Sequence, residues 1–168
     1  MSSPVELLPF TPDYKDAFRD LNREWLEALF YVEDYDLQQL EHPERILAAG
    51  GEIWFARLDG VMVGTGALYC DGDGVFEIAK MAVTGNARGH GIGRLLLEKL
   101  IQRFQELGGR RLVLETNSSL SAAIALYRSA GFVDYTPSKP SEYARANVFM
   151  EWRRTGEITQ ESVLQHES

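Results

Sequence analysis

The chain has 168 residues, 45% of them hydrophobic and 25% charged, with a formal net charge of −8. That length suits one domain with its own core, and the composition is that of a globular rather than a disordered chain. The acidic balance argues against a general binder of nucleic acid or membrane surfaces, which needs a basic face.

Cys70 is the only cysteine, so an internal disulfide is excluded and a cytoplasmic setting is expected. No apolar run has the length of a membrane span, and the N-terminus lacks the basic start and apolar core of a signal peptide. His42, His90 and His166 are scattered without metal-ligand spacing, so no metal is expected.

In chain order, Val5 to Phe10 reads as a strand, and Asp13 offers an N-cap for a helix reaching about Phe30. Leu21, Trp25, Leu26, Leu29 and Phe30 form its apolar stripe. The segment Tyr31 to Asp36 interrupts it. Short helices follow at Leu37 to Leu40 and Pro43 to Ala49, the second opened by its proline and stopped by Gly50-Gly51. Glu52 to Leu58 and Val61 to Cys70 are strands joined at Asp59-Gly60, a two-residue hairpin signal.

After the turn Asp71 to Gly74, Val75 to Val83 returns as a third strand of the meander. A helix runs from Ile92 to Leu107 and ends at Gly108-Gly109. Arg111 to Glu115 is a strand and Ser121 to Ala130 a helix, with Gly131 as a left-handed cap. Phe132 to Tyr135 is a brief strand, Pro137 to Pro140 a loop, and Asn147 to Trp152 the last strand. Arg153 to Ser168 reads as a polar, loose tail, which leaves residues 1–152 as a single domain. The fold class is α/β with a mixed central sheet flanked by helices. Val75 to Glu115 forms a parallel β-α-β unit with a right-handed crossover.

The residues Arg88-Gly-His-Gly-Ile-Gly-Arg94 fall where a loop becomes a helix N-terminus. Glycines there let the backbone approach a ligand closely. First-turn N–H groups lack partners within the helix, and the helix dipole favours an anion, so the place suits phosphate or pyrophosphate. Arg88 and Arg94 flank it with planar donor forks.

With that loop, the sequence resembles the GNAT superfamily of acyl-CoA-dependent N-acetyltransferases. Its Arg-Gly-x-Gly-[Ile/Val/Leu]-Gly signature stands here as Arg88 to Gly93. A second signature, Tyr-x-x-x-Gly-Phe at a helix end, stands as Tyr127 to Phe132, and the element order matches from about Val5 to Trp152. The resemblance implies acetyl-CoA as co-substrate, lying between the strands Val75–Val83 and Arg111–Glu115. Backbone groups of Met81, Ala82 and Val83 then line the pantetheine arm, with Met81 and Val83 pairing to it like an added strand. Arg88, Gly89, His90, Gly91, Ile92, Gly93 and Arg94 hold the pyrophosphate. Tyr127 places its hydroxyl near the thioester sulfur. Many relatives carry a cofactor-binding Asn where this chain has Leu120; Asn117, Ser118 or Ser121 is left to replace it.

Acetylation needs a neutral amine, and an amine of pKa about 10.4 is neutral only about once in 2,500 molecules at pH 7. A carboxylate that removes the proton therefore helps. Glu77, four residues before Met81 on the strand beside the wedge, is the first candidate, because the family often keeps an acid there. Glu33 is the second, while Glu24, Asp34 and Asp36 read as solvated or substrate-lining. Tyr127, a phenol of pKa about 10, suits donation to the departing thiolate. Cys70 reads as a buried strand cysteine.

A dinucleotide-binding reading fits less well. No glycine stands at the third fingerprint position, and Thr84 to Arg88 separates strand from glycines where that turn is tight. The expected function is transfer of an acetyl group to a primary amine, with a non-catalytic acyl-CoA-binding module as the alternative. The acidic residues from Glu24 to Asp36 favour a small cationic amine as acceptor. No pattern encodes the oligomeric state, and a homodimer stays open.

Overall fold

The computed structural model describes residues 4–87 and 89–154. Strand β1 (Glu6–Pro9) leads through a 3-10 turn (Pro12–Tyr14) into α1 (Lys15–Leu29). Pro12 stands at the first position of that turn, where its fixed φ is already suitable. The helix consequently begins after Tyr14 rather than on an Asp13 cap, and no side chain caps it.

Helix α2 (Asp34–Glu41) starts three residues before the position expected from the apolar pattern. Its first turn is polar and so carries no hydrophobic signal. It forms because the Glu33 backbone N–H donates to Asp36 Oδ2 at 3.0 Å and the Leu37 N–H to the Glu33 carbonyl at 3.2 Å. Helix α3 (Pro43–Ala48) follows, then the meander β2 (Glu52–Leu58), β3 (Val61–Gly72) and β4 (Val75–Val83). A 3-10 turn at Gly85–Ala87 precedes α4 (Ile92–Glu106). The chain continues as β5 (Arg111–Thr116), α5 (Ser121–Ala130), β6 (Phe132–Asp134) and β7 (Val148–Trp152).

Among the described residues the strands make one mixed sheet in the order β1-β2-β3-β4-β5-β7-β6. Only β4 and β5 pair in parallel, joined by the α4 crossover as expected, and the other neighbours are antiparallel. Short strands close both edges, which limits unpaired backbone.

Helix α4 packs Leu97, Leu100, Ile101 and Phe104 with Phe76, Ile78, Leu112 and Leu114 of the sheet. Each fully buried leucine there contributes about 1.5–3 kcal/mol over leaving it exposed. The α1–α3 side buries Phe18, Leu26, Leu40 and Ile46 with Ile53, Phe55 and Ala67. Helix α5 has no fully buried residue, because part of its inward face borders a cleft. The tail does not loosen at residue 153: the Arg153 N–H donates to the Gly131 carbonyl at 2.9 Å. The rest of the predicted tail, 155–168, lies outside the described residues.

Candidate active site

The cleft begins where β4 and β5 part. Their parallel register runs from Val75 opposite Arg111 to Ile78 opposite Leu114 and stops. Beyond it, Glu115 and Thr116 pair with Phe149 and Val148 of β7, while Ala79 to Val83 have no strand on that side. The gap encloses about 1170 Å³, open solvent at its mouth included. Its walls are the 79–83 edge, the end of β5, Leu120, Ala123, Leu126 and Tyr127 around α5, and Asn22, Trp25, Leu26 and Phe30 around the end of α1.

A β-bulge shapes the exposed edge. Ala79 pairs with Ala67 and Ala82 with Thr65, so Lys80 and Met81 together face Gly66. Lys80 sits at φ +57, a region that costs an L-residue about 1–2 kcal/mol. Gly66 leaves room opposite it: a Cβ there would lie 2.5 Å from Met81 Sδ and 3.0 Å from Leu100 Cδ1, so those side chains would have to shift.

The bulge reverses the alternation of the strand. Phe76 and Ile78 face α4, as does Met81 after the bulge, while Ala82 joins the core under α1. The sequence carried this signal as a slip in apolar spacing, from 76 and 78 to 81 and 83. Read as an unbroken strand from Val75 to Val83, it passes unnoticed.

The glycine loop opens onto solvent. Gly89 and Gly91 have φ of +87 and +74, and a Cβ on either would meet nothing within 4 Å. Gly91 is the N-cap of α4, and among the described residues no side chain caps the helix, which leaves its first-turn N–H groups without a capping side chain. Buried Ile92 anchors the turn, and Gly93 borders the cleft. His90 is exposed. Arg94 donates through Nη2 to Ser129 Oγ at 3.2 Å, which turns part of its fork toward α5. Arg88 lies outside the described residues.

Tyr127 borders the cleft from the α4–α5 side, with its ring edge-on to Phe132 at 6.0 Å. Burial pushes its hydroxyl up to about 12. Glu77 lies on the opposite face of the sheet from Phe76 and Ile78, by strand alternation. Burial, then the charges of Glu115 and Asp71, push it up to about 8, against the opposing pull of Lys80. Tyr69 is its partner across β3, and the Tyr69 hydroxyl is buried without a hydrogen bond.

Glu33 lies outside the residues that line the cleft. Its carboxylate accepts from Arg145 Nη1 at 2.9 Å and from the Ala144 N–H at 3.1 Å. Asp36, expected to be solvated or substrate-lining, does border the cleft but is fully buried. It accepts from both Arg145 nitrogens at 2.8 and 2.7 Å and from Lys80 Nζ at 3.1 Å. Two carboxylates and two cations thus neutralise one another, so the 24–36 segment does not present an uncompensated acidic surface at these positions.

Asn117 borders the cleft with both ends of its amide engaged. It donates to the Arg145 carbonyl at 2.6 Å and accepts from the Ser119 N–H at 2.9 Å. Leu120 is the N-cap of α5, and no side chain caps that helix.

Lys80, Tyr143 and Arg145 escaped the sequence reading. Each lines the cleft, but they come from distant segments with no motif around them. Cys70 is half-buried on β3. Among the described residues no group of three or more His, Cys, Asp and Glu could hold a metal ion, and no helix is long and apolar enough to cross a membrane.

Residues 14–132 match the sequence model of the Acetyltransferase (GNAT) family. The chain is 39% identical over 118 residues to an IAA acetyltransferase of Azospirillum brasilense, covering 69% of this chain and 72% of that protein. In structure it resembles an acetyltransferase of GNAT family from Staphylococcus aureus, with TM-score 0.80 and 23% identity over 89% of this chain and 98% of that one. It also resembles the Salmonella typhimurium protein yncA, solved with its cofactor acetyl-CoA, with TM-score 0.71 and 20% identity over 90% of this chain and 94% of that one.

Proposed function

Because the chain belongs to the acetyltransferase (GNAT) family, we propose that it transfers the acetyl group of acetyl-CoA to a primary amine of a small acceptor. The observation that carries this reading is the unpaired edge of β4 from Ala79 to Val83. It faces a cleft that opens between two parallel strands and is flanked by the uncapped turn at Gly91. Backbone groups of Met81, Ala82 and Val83 are free to pair with an extended amide-bearing arm as a further strand would. The N–H groups around Gly89 to Gly93 suit a pyrophosphate, with the remaining donors of Arg94 beside them.

Acetyl-CoA, when bound, supplies an activated acyl thioester. The chain's residues then manage protons on either side of the sheet. Glu77, on the α1–α2 face, takes the proton from the incoming ammonium. A carboxylate raised to about 8 is a stronger base than an ordinary one, closer to the amine it serves. Tyr127, on the α4–α5 face, gives its phenolic proton to the leaving sulfur. Glu33 belongs to the ion network with Arg145 rather than to proton transfer. Asn117 holds the loop that forms one wall.

Calorimetry with acetyl-CoA, followed by thiol release with a panel of acceptors, tests the reading. The panel covers polyamines, amino acids, aminoglycosides, peptide N-termini and protein lysines. At 100 times its Kd, acetyl-CoA should add about 2.7 kcal/mol and raise Tm by about 5–10 °C. Binding without turnover on any amine would favour the non-catalytic alternative. No binding at millimolar acetyl-CoA would overturn both.

A further inference from the structure

We propose that Lys80 is a positioning residue: its side chain, tethered to Asp36 and Tyr143, holds the β4 bulge in the conformation that turns residues 81–83 toward the cleft. The functional consequence rests on the acyl-CoA reading above; the tether itself does not.

Among the described non-glycine residues with positive φ, Asp59 and Asp73 sit in turns, each followed by glycine, whereas Lys80 lies inside a strand. Asp commonly accepts this region through local hydrogen bonds; lysine has no such local means, and glycine is the usual occupant of a left-handed bulge position. What holds Lys80 lies at the far end of its side chain. Nζ donates to Asp36 Oδ1 at 3.1 Å and to the Tyr143 hydroxyl at 2.5 Å, and it stands 4.5 Å from the centre of the Tyr143 ring. The Lys80 and Asp36 side chains are 5% and 0% exposed.

The anchor is itself fixed from outside β4. Asp36 accepts from Arg145 and from the Glu33 N–H, Arg145 is held by Glu33, and the guanidinium lies 4.4 Å from the Tyr143 ring on which the ammonium also rests. The first turn of α2 and the loop before β7 therefore set the backbone of residue 80. That setting reverses the strand's alternation, placing Met81 under α4 and Ala82 under α1. A strand with regular alternation would exchange those two faces.

The test compares Lys80→Ala, Lys80→Met and Lys80→Gly in the full chain. All three lose the tether, and Asp36 keeps its bidentate arginine in each, so a cation is left to neutralise that carboxylate. Only glycine takes the left-handed conformation without steric cost. The alanine and methionine variants should bind CoA about tenfold more weakly, and the glycine variant should return to within about threefold of wild type. If the tether only adds stability and the bulge keeps its conformation without it, all three variants should lose stability in urea yet bind CoA like wild type, which would overturn the proposal.

Backbone chemical shifts at residues 80 and 81 provide a readout that needs no cofactor. The positive-φ signature should be lost in Lys80→Ala and Lys80→Met and kept in Lys80→Gly. Wild-type shifts or wild-type CoA affinity in the alanine variant would overturn the proposal, as would a glycine variant binding no better than alanine. A wild-type protein that bound no CoA would sink the acyl-CoA reading alone, and the shifts would still decide the tether.

Discussion

Glu77 carries its proton into the neutral range because burial and the charges of Glu115 and Asp71 outweigh the attraction of Lys80. Its usual value is 4.5 and its folded value about 8. A buried acid raised in this way stabilises the fold fully below pH about 4.5, and that contribution falls as the pH rises and is gone above about 8. Wild-type Tm should therefore decline relative to Glu77→Gln across that window, as a thermal melt series in pH would read. The same titration should appear in catalysis. Wild-type kcat/KM should rise with pH through about 8, and Glu77→Gln should lose that limb, with recovery only as the amine itself deprotonates. Tyr127→Phe keeps the ring against Phe132 and loses only the donor. It should lower kcat by about 10²–10⁴-fold with CoA affinity little changed, measured by steady-state kinetics and calorimetry. The position of both residues at the cleft was legible in the sequence through their place relative to Met81 and to Gly131-Phe132. The shift of Glu77 was not, because Glu115 and Asp71 reach it from other strands.

At the scale of elements, β4 and the start of α4 border different parts of the cleft. The exposed turn at Gly91, with open space before it and φ of +74, is where an added charge would act on a bound anion. Gly91→Asp should weaken CoA binding far more than it lowers stability. Gly91→Asn, similar in size and equally tolerant of a left-handed backbone, should weaken it much less. Calorimetry on the two variants separates charge repulsion from crowding, and equal losses would make the effect steric. The boundaries of α4 and α5 were readable from Gly91, Gly108 and Gly131, because helix ends are marked by residues that accept positive φ. The early start of α2 was not, because its cap is formed by the backbone of Glu33 and the side chain of Asp36, polar residues without apolar spacing.

On the scale of the whole molecule, Arg145 ties segments more than a hundred positions apart, reaching Glu33 and Asp36 from the loop before β7. Its side chain is only 16% exposed. Arg145→Ala leaves Glu33 without its cation and Asp36 with Lys80 as its remaining cation, and removal of one partner from a buried ion network costs about 3–5 kcal/mol. Urea denaturation should show that loss, with a raised KM for the acceptor as the cleft wall loosens. Residue order alone determined the mixed sheet, the α4 crossover, the glycine turn and the place of Tyr127 beside the cleft, because apolar period, turn chemistry and local motifs are properties of neighbouring residues. Only the tertiary structure decided that Lys80 stands in a bulge, that Asp36 is buried and neutralised, and that Glu77 is pushed above the usual carboxylate range. Those outcomes depend on charges and walls from α2, β3, β5 and the 141–147 loop meeting in space, and no spacing along the chain encodes that meeting.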